Sequence, residues 1–162
     1  MFAQRLKRLT PYVPGEQPRD RRYVKLNTNE NPYPPGPSVR KALTRFDPER
    51  LRLYPDPESL SLREALAEVY GLTASQVFAG NGSDEVLAFA FYALFDSGRG
   101  PLLFPEHTYS FYPVYCDLLE IEYEKVPLKT DFSIDVDSFL RRKDDCCGVI
   151  FPNPNAPTGI CL

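Results

Sequence analysis

Apolar side chains recur along this chain in two alternating rhythms. Leu62, Ala65, Leu66, Val69 and Tyr70 fall three or four residues apart, with Arg63, Glu64 and Glu68 facing water, which predicts an amphipathic helix. Asp56 stands where an N-cap belongs, Pro57 takes the first helical position and Gly71 follows the last turn. An earlier stripe of Val39, Ala42, Leu43 and Phe46 predicts a helix capped by Ser38 and ended by Pro48. Residues 86–95 are apolar all round, the pattern of a helix buried inside a larger body. A helix is also predicted near residues 109–119, and a short one opening at Asp135 with Val136, Phe139 and Leu140 inward.

Between these helices lie short strand candidates. Residues 77–79, 102–104 and 148–151 are continuous apolar runs, and residues 121–126 alternate apolar and charged side chains. Strands alternating with helices predict an α/β fold with a mainly parallel sheet flanked by helices. Of the 17 prolines, ten precede residue 58, and that shift in composition divides the chain. Residues 1–57 read as a Pro-rich arm carrying one short helix, and residues 58–162 as the α/β segment. Ligands of parallel sheets gather at the carboxyl ends of the strands. Three loops are expected there: 80–84, 105–109 and 152–159.

Composition narrows the function. A net charge of −3 and no like-charge block longer than Arg141-Arg142-Lys143 leave no surface suited to nucleic acid or anionic lipid. No run approaches the length of a membrane span, and the basic amino terminus lacks an apolar signal core. Cysteines at 116, 146, 147 and 161 form no C-x-x-C pair and, with one histidine, make a metal site an unattractive reading. Reduced thiols and a cytoplasmic location are expected.

Each loop carries candidate chemistry and a plain alternative. Gly80-Asn81-Gly82-Ser83 leads into a helix, so glycines allow close approach and the helix start offers unpaired N–H donors to an anion such as phosphate. Asp84 and Glu85 work against that by repulsion unless they turn away, and the alternative is a simple helix cap. Tyr109 follows a strand and is able to stack on a planar heteroaromatic ring, or to be one more core aromatic. His107 reads as a loop residue. Asn155, in the 152–159 loop, offers an amide to a ring oxygen, or belongs to a turn-rich connection.

The order and spacing of these strings resemble the histidinol-phosphate aminotransferases. The likeness covers essentially the whole chain: Pro11-Tyr12-Val13-Pro14-Gly15-Glu16-Gln17-Pro18, Lys25 through Pro35, Leu53-Tyr54-Pro55, Gly82-Ser83-Asp84-Glu85, His107 through Tyr112, and Pro154 through Gly159. The resemblance implies the first half of the fold-type-I pyridoxal-phosphate large domain, preceded by an arm that belongs partly to the small domain. It implies pyridoxal 5′-phosphate as cofactor, its phosphate held at Gly82 and the amides of Ser83 and Asp84, its ring stacked by Tyr109 and its ring oxygen met by Asn155. Tyr54 matches a tyrosine that reaches the partner's cofactor phosphate across a homodimer, and Tyr12 an aromatic of the substrate pocket. The implied reaction moves an amino group between L-histidinol phosphate and 2-oxoglutarate in histidine biosynthesis.

Two departures stand out. The family usually has Asn immediately before Pro-Thr-Gly, where this chain has Ala156. The lysine that forms the family's Schiff base, the aspartate that pairs with the pyridine nitrogen and the arginine that grips substrate match no position here. Lysines occur only at 7, 25, 41, 125, 129 and 143, and none follows a Ser-Lys motif on a late strand. The chain is therefore expected to hold no catalytic residue of the covalent step and to be inactive alone. Two other readings stay open: a non-catalytic remnant, and a threonine-phosphate decarboxylase-like enzyme.

Overall fold

A computed structural model describes residues 6, 7, 9, 15–28 and 30–162. Contacts divide the chain into two compact units, the first of residues 13–79 and the second holding Gly80–Leu162.

In the first unit, helix α1 spans Pro37–Arg45. Its N-cap is Gly36, not Ser38 as expected, because Pro37 takes the first-turn position that its fixed φ suits. After a 3-10 turn at Pro48–Arg52, helix α2 spans Leu60–Tyr70. It starts later than Pro57. The Asp56 carboxylate accepts the N–H groups of Glu58 at 3.0 Å and Leu60 at 2.7 Å, so it organises a turn ahead of the helix. Gly71 ends α2 at φ 66°, as the sequence requires.

The expected inward stripe of α2 is a correction. Only Ala67 is buried, while Leu62, Val69 and Tyr70 are exposed. Arg63, expected to face water, is half-buried, and its guanidinium donates to the Ala74 carbonyl at 3.1 and 2.8 Å. The cause is the neighbour: α2 packs on the short 3-10 turn Ala74–Gln76, which offers a carbonyl rather than an apolar face. Residues 77–79 form no strand; among the described residues none supplies the ladder partner that a strand needs.

In the second unit the elements alternate: α3 (Ser83–Leu94), β1 (Leu102–Pro105), α4 (Tyr112–Leu119), β2 (Tyr123–Val126), α5 (Val136–Leu140) and β3 (Gly148–Val149). The three strands form a parallel sheet of order β2-β1-β3, with Leu102 opposite Tyr123 on one side and Gly148 on the other. Period-two alternation assigns the faces. Leu102 and Phe104 join Phe91, Tyr112, Tyr115, Cys116 and Ile121 in one core, while Leu103 joins Val126, Ile134 and Phe139 in another. Phe91 lies 4.9 Å from Tyr115 between ring centres, and Phe104 stacks on Tyr123 at 5.2 Å.

Three boundaries move for local reasons. Helix α4 starts at Tyr112, after a turn in which the Tyr112 N–H donates to the Tyr109 carbonyl. Strand β2 starts at Tyr123, because Glu120 turns left-handed and the Ile121 N–H still bonds back to Cys116. Strand β3 is two residues, although the Ile150 N–H still reaches the Leu103 carbonyl at 3.0 Å. Gly148 is required there: a Cβ would fall 2.6 Å from the Phe95 ring. Helix α3 buries only Phe91, against the expectation of all-round burial; Phe89, Tyr92 and Leu94 are exposed because only one side of it packs on α4 and the core.

Among the described residues no helix is long and apolar enough to cross a membrane, and no group of three metal-ligating side chains occurs. All four cysteines are free. Burial, then the nearby Asp117 and Cys147, pushes the Cys116 thiol from 9.0 up to about 12.

Two predictions follow from this core. Phe91→Ala is expected to cost about 3–5 kcal/mol in urea unfolding, by removing a fully buried ring that packs on Tyr112 and Tyr115 of α4. The raised Cys116 pKa means that, above pH 9.0, the unfolded state releases its thiol proton while the folded state keeps it. Stability is therefore full below that value and falls as pH climbs toward about 12, and Cys116→Ala is expected to flatten part of that fall in a pH series of melting temperatures.

Candidate functional site

The 80–84 loop is shaped by its glycines. Gly82 holds φ 84°, which an L side chain rarely adopts, and a Cβ on Gly80 would meet the Val86 side chain at 2.8 Å. Ser83 and Asp84 open α3, and among the described residues no group accepts their backbone N–H donors. The two acids that follow are engaged elsewhere. Glu85 turns back to accept the Asn81 N–H at 2.6 Å, and Asp84 Oδ1 accepts the Tyr109 hydroxyl at 2.8 Å. The Asp84 carbonyl accepts the Tyr115 hydroxyl at 2.8 Å. Burial, with Asp84 as a lesser cause, raises the Tyr115 pKa and keeps that phenol a donor.

The 105–109 loop leaves the carboxyl end of β1. Its path is held by the Glu106 N–H donating to the Val126 carbonyl at 2.9 Å and by the Glu106 carboxylate accepting from the Leu128 N–H at 3.1 Å. The Tyr109 ring stacks at 25° on Phe111, with centres 6.2 Å apart, and meets Tyr112 edge-on at 5.6 Å.

The 152–159 loop closes on itself through Asn155, whose N–H donates to the Ile160 carbonyl and whose carbonyl accepts from Gly159. The Asn155 side chain is 1% exposed. Its Oδ1 accepts the Thr108 hydroxyl at 2.9 Å, and its Nδ2 donates to the His107 carbonyl at 3.0 Å and to Thr158 Oγ1 at 3.3 Å. A buried amide needs such partners.

The three predicted loops thus meet in one chain of hydrogen bonds, from Asp84 to Tyr109 and from the adjacent Thr108 to Asn155. A hollow of about 290 Å³ beside them is lined by Thr108, Tyr109, Lys125 and Pro157 among others; it includes the second and third loops, not Ser83 or Asp84. A hollow of about 500 Å³, lined by residues from Glu16 to Asn27 of the first unit, contains none of the predicted site residues. Tyr54 belongs to the first unit, where it is fully exposed at 101%. Tyr12 lies outside the described residues. Sequence reasoning missed Thr108 and Tyr115. The position of Thr108 beside Tyr109 in a strand-end loop was a usable signal, whereas Tyr115 was one apolar-stripe aromatic among many.

An open helix start, an aromatic face and a buried Asn thus stand at the strand ends of an α/β unit. Residues 21–162 match the family model for aminotransferase class I and II. The chain belongs to that family. It is 57% identical over 163 residues to the histidinol-phosphate aminotransferase of Syntrophus aciditrophicus, matching 100% of this chain and 45% of that protein. The histidinol-phosphate aminotransferase of Pseudomonas entomophila is 57% identical over 97% of this chain and 44% of its own length. A crystal structure from Erwinia carotovora atroseptica, provisionally named a histidinol-phosphate aminotransferase, superposes with a TM-score of 0.73 at 25% identity, over 84% of this chain and 40% of that one. The chain spans somewhat under half the length of these relatives.

Asn155→Ala is expected to destabilise the protein by about 1–3 kcal/mol in urea unfolding, because it removes a buried amide that bonds the His107 carbonyl and the Thr108 hydroxyl at once.

Proposed function

We propose that this chain carries the phosphate- and ring-holding part of a pyridoxal 5′-phosphate-dependent histidinol-phosphate aminotransferase. One observation supports this most: the Asp84–Tyr109 and Thr108–Asn155 hydrogen bonds bring three separate loops together at the start of α3. The residues fit the group. Two unpaired N–H donors at Ser83 and Asp84, beyond a left-handed Gly82, suit a phosphate dianion, and the dipole of α3 adds about 0.3–1 kcal/mol. Glu85 and Asp84, the obvious sources of repulsion, are tied to Asn81 and Tyr109.

In this reading Tyr109 stacks against the pyridine ring. Asn155 would supply the amide donor for the ring oxygen, giving up the 3.3 Å bond to Thr158. Bound pyridoxal phosphate supplies the electron sink for the amino transfer. The protein's residues hold the phosphate, fix the ring plane and keep water from one face. Tyr54 reaches a partner subunit's cofactor phosphate in a homodimer, and Tyr12 lines the pocket for L-histidinol phosphate and 2-oxoglutarate. Residues 1–57 join the small domain in part, and residues 58–162 form the first half of the large domain. The setting is histidine biosynthesis in the cytoplasm. None of the six lysines is assigned the covalent role.

Protein that contains this chain together with the remainder of the relatives' length is expected to form glutamate from L-histidinol phosphate and 2-oxoglutarate, read with glutamate dehydrogenase. The 162-residue chain alone is expected to form none. Carbon dioxide release from phosphothreonine without glutamate would replace the proposal with the decarboxylase reading.

A further inference from the structure

Asp84 makes two bonds in different directions. Its carboxylate accepts the Tyr109 hydroxyl at 2.8 Å, and its carbonyl accepts the Tyr115 hydroxyl at 2.8 Å. Tyr109 is therefore held at its far end by the first turn of α3, along one edge by Tyr112 and across one face by Phe111. Tyr115 meanwhile anchors α4 to the same turn of α3. The aromatic ring and the unpaired amides of Ser83 and Asp84 thus share one rigid reference point, although 25 residues of chain separate Asp84 from Tyr109.

We propose that Asp84 is the positioning residue for Tyr109: its carboxylate fixes the distance and tilt between the tyrosine face and the α3 start, so that a planar aromatic phosphate ester is gripped at both ends at once. This rests on the site reading above and goes beyond it by giving the Asp84 side chain, and not only its amide, a task. Such a bond also explains why an acid is tolerated beside an anion site. The bond holds Asp84 Oδ1 on the Tyr109 hydroxyl and so occupies that oxygen with a donor other than the amides. Without Tyr109 the same carboxylate is free to turn toward the N–H donors and compete with phosphate for them.

The measurements use the 162-residue chain with pyridoxamine 5′-phosphate, which needs no lysine to bind, and with inorganic phosphate. Asp84→Ala and Tyr109→Phe are each expected to weaken pyridoxamine phosphate about fivefold, the range of one hydrogen bond, and the double variant no further. Asp84→Asn, which keeps an acceptor oxygen, is expected to recover most of the affinity. Inorganic phosphate, which has no ring, is expected to bind Asp84→Ala as well as or better than the parent. In the ligand-free chain, three-bond couplings are expected to show one Tyr109 χ1 rotamer in the parent and averaging in Asp84→Ala. An unaveraged Tyr109 in Asp84→Ala, or additive losses in the double variant, overturns the positioning role. If Tyr109→Ala leaves pyridoxamine phosphate affinity intact, or if the parent binds no pyridoxamine phosphate, the underlying site reading fails and this proposal with it. Loss in Tyr109→Ala with none in Asp84→Ala keeps the site and removes only Asp84.

Discussion

Strand β1 is the constraint on which the rest of the second unit depends. Leu102, Leu103 and Phe104 have no exposed surface, and the strand is paired along both edges. A slip of one residue in a strand so enclosed would exchange Leu103 with Leu102 and Phe104 and misfit the shapes of both cores. Full burial of three such side chains contributes about 1.5–3 kcal/mol each, before the entropy of ordering is subtracted. Once β1 is fixed, the loop leaving its carboxyl end has a fixed origin. Tyr109 is then delivered to α3, and Thr108 to Asn155, without further choice.

The hydrogen bonds around that loop divide the labour between holding and binding. Asn155 is enclosed and saturated, so it sets where the third loop runs. Ser83 and Asp84 present the opposite condition, amides at an exposed helix start with no acceptor among the described residues. Polar groups left unsatisfied at a surface interact with water at little cost and exchange it readily for a ligand. The contrast matters because a site needs both kinds of group, and here they lie on different loops joined through Tyr109 and Thr108.

Much of this was legible in the amino-acid order, but unevenly. The alternating elements, the parallel sheet and the approximate place of every strand from residue 102 onward could be read from the pattern, because the enclosed β1 leaves an unbroken apolar run and the edge strand β2 an alternation of apolar and charged side chains. So could the three loops, since glycines, prolines and Asn cluster where a chain turns. The fate of the α2 stripe was not legible. Whether Leu62 and Val69 find cover depends on what stands opposite, and local sequence is silent on that. Arg63 misled for a related reason: a guanidinium is as well satisfied by a carbonyl in a half-buried turn as by water, and charge alone does not distinguish them. The run 77–79 has strand composition but forms no strand. The Asp84–Tyr109 bond, between residues distant in the chain, had no local signature at all.

Position 156 illustrates what a saturated neighbour permits. The loop is closed by the backbone of Asn155 with Gly159 and Ile160, and fastened to its surroundings by the Asn155 amide, so the side chain at 156 carries none of those bonds. Ala156 is consequently released from architectural duty: the loop's course is dictated by the residue before it.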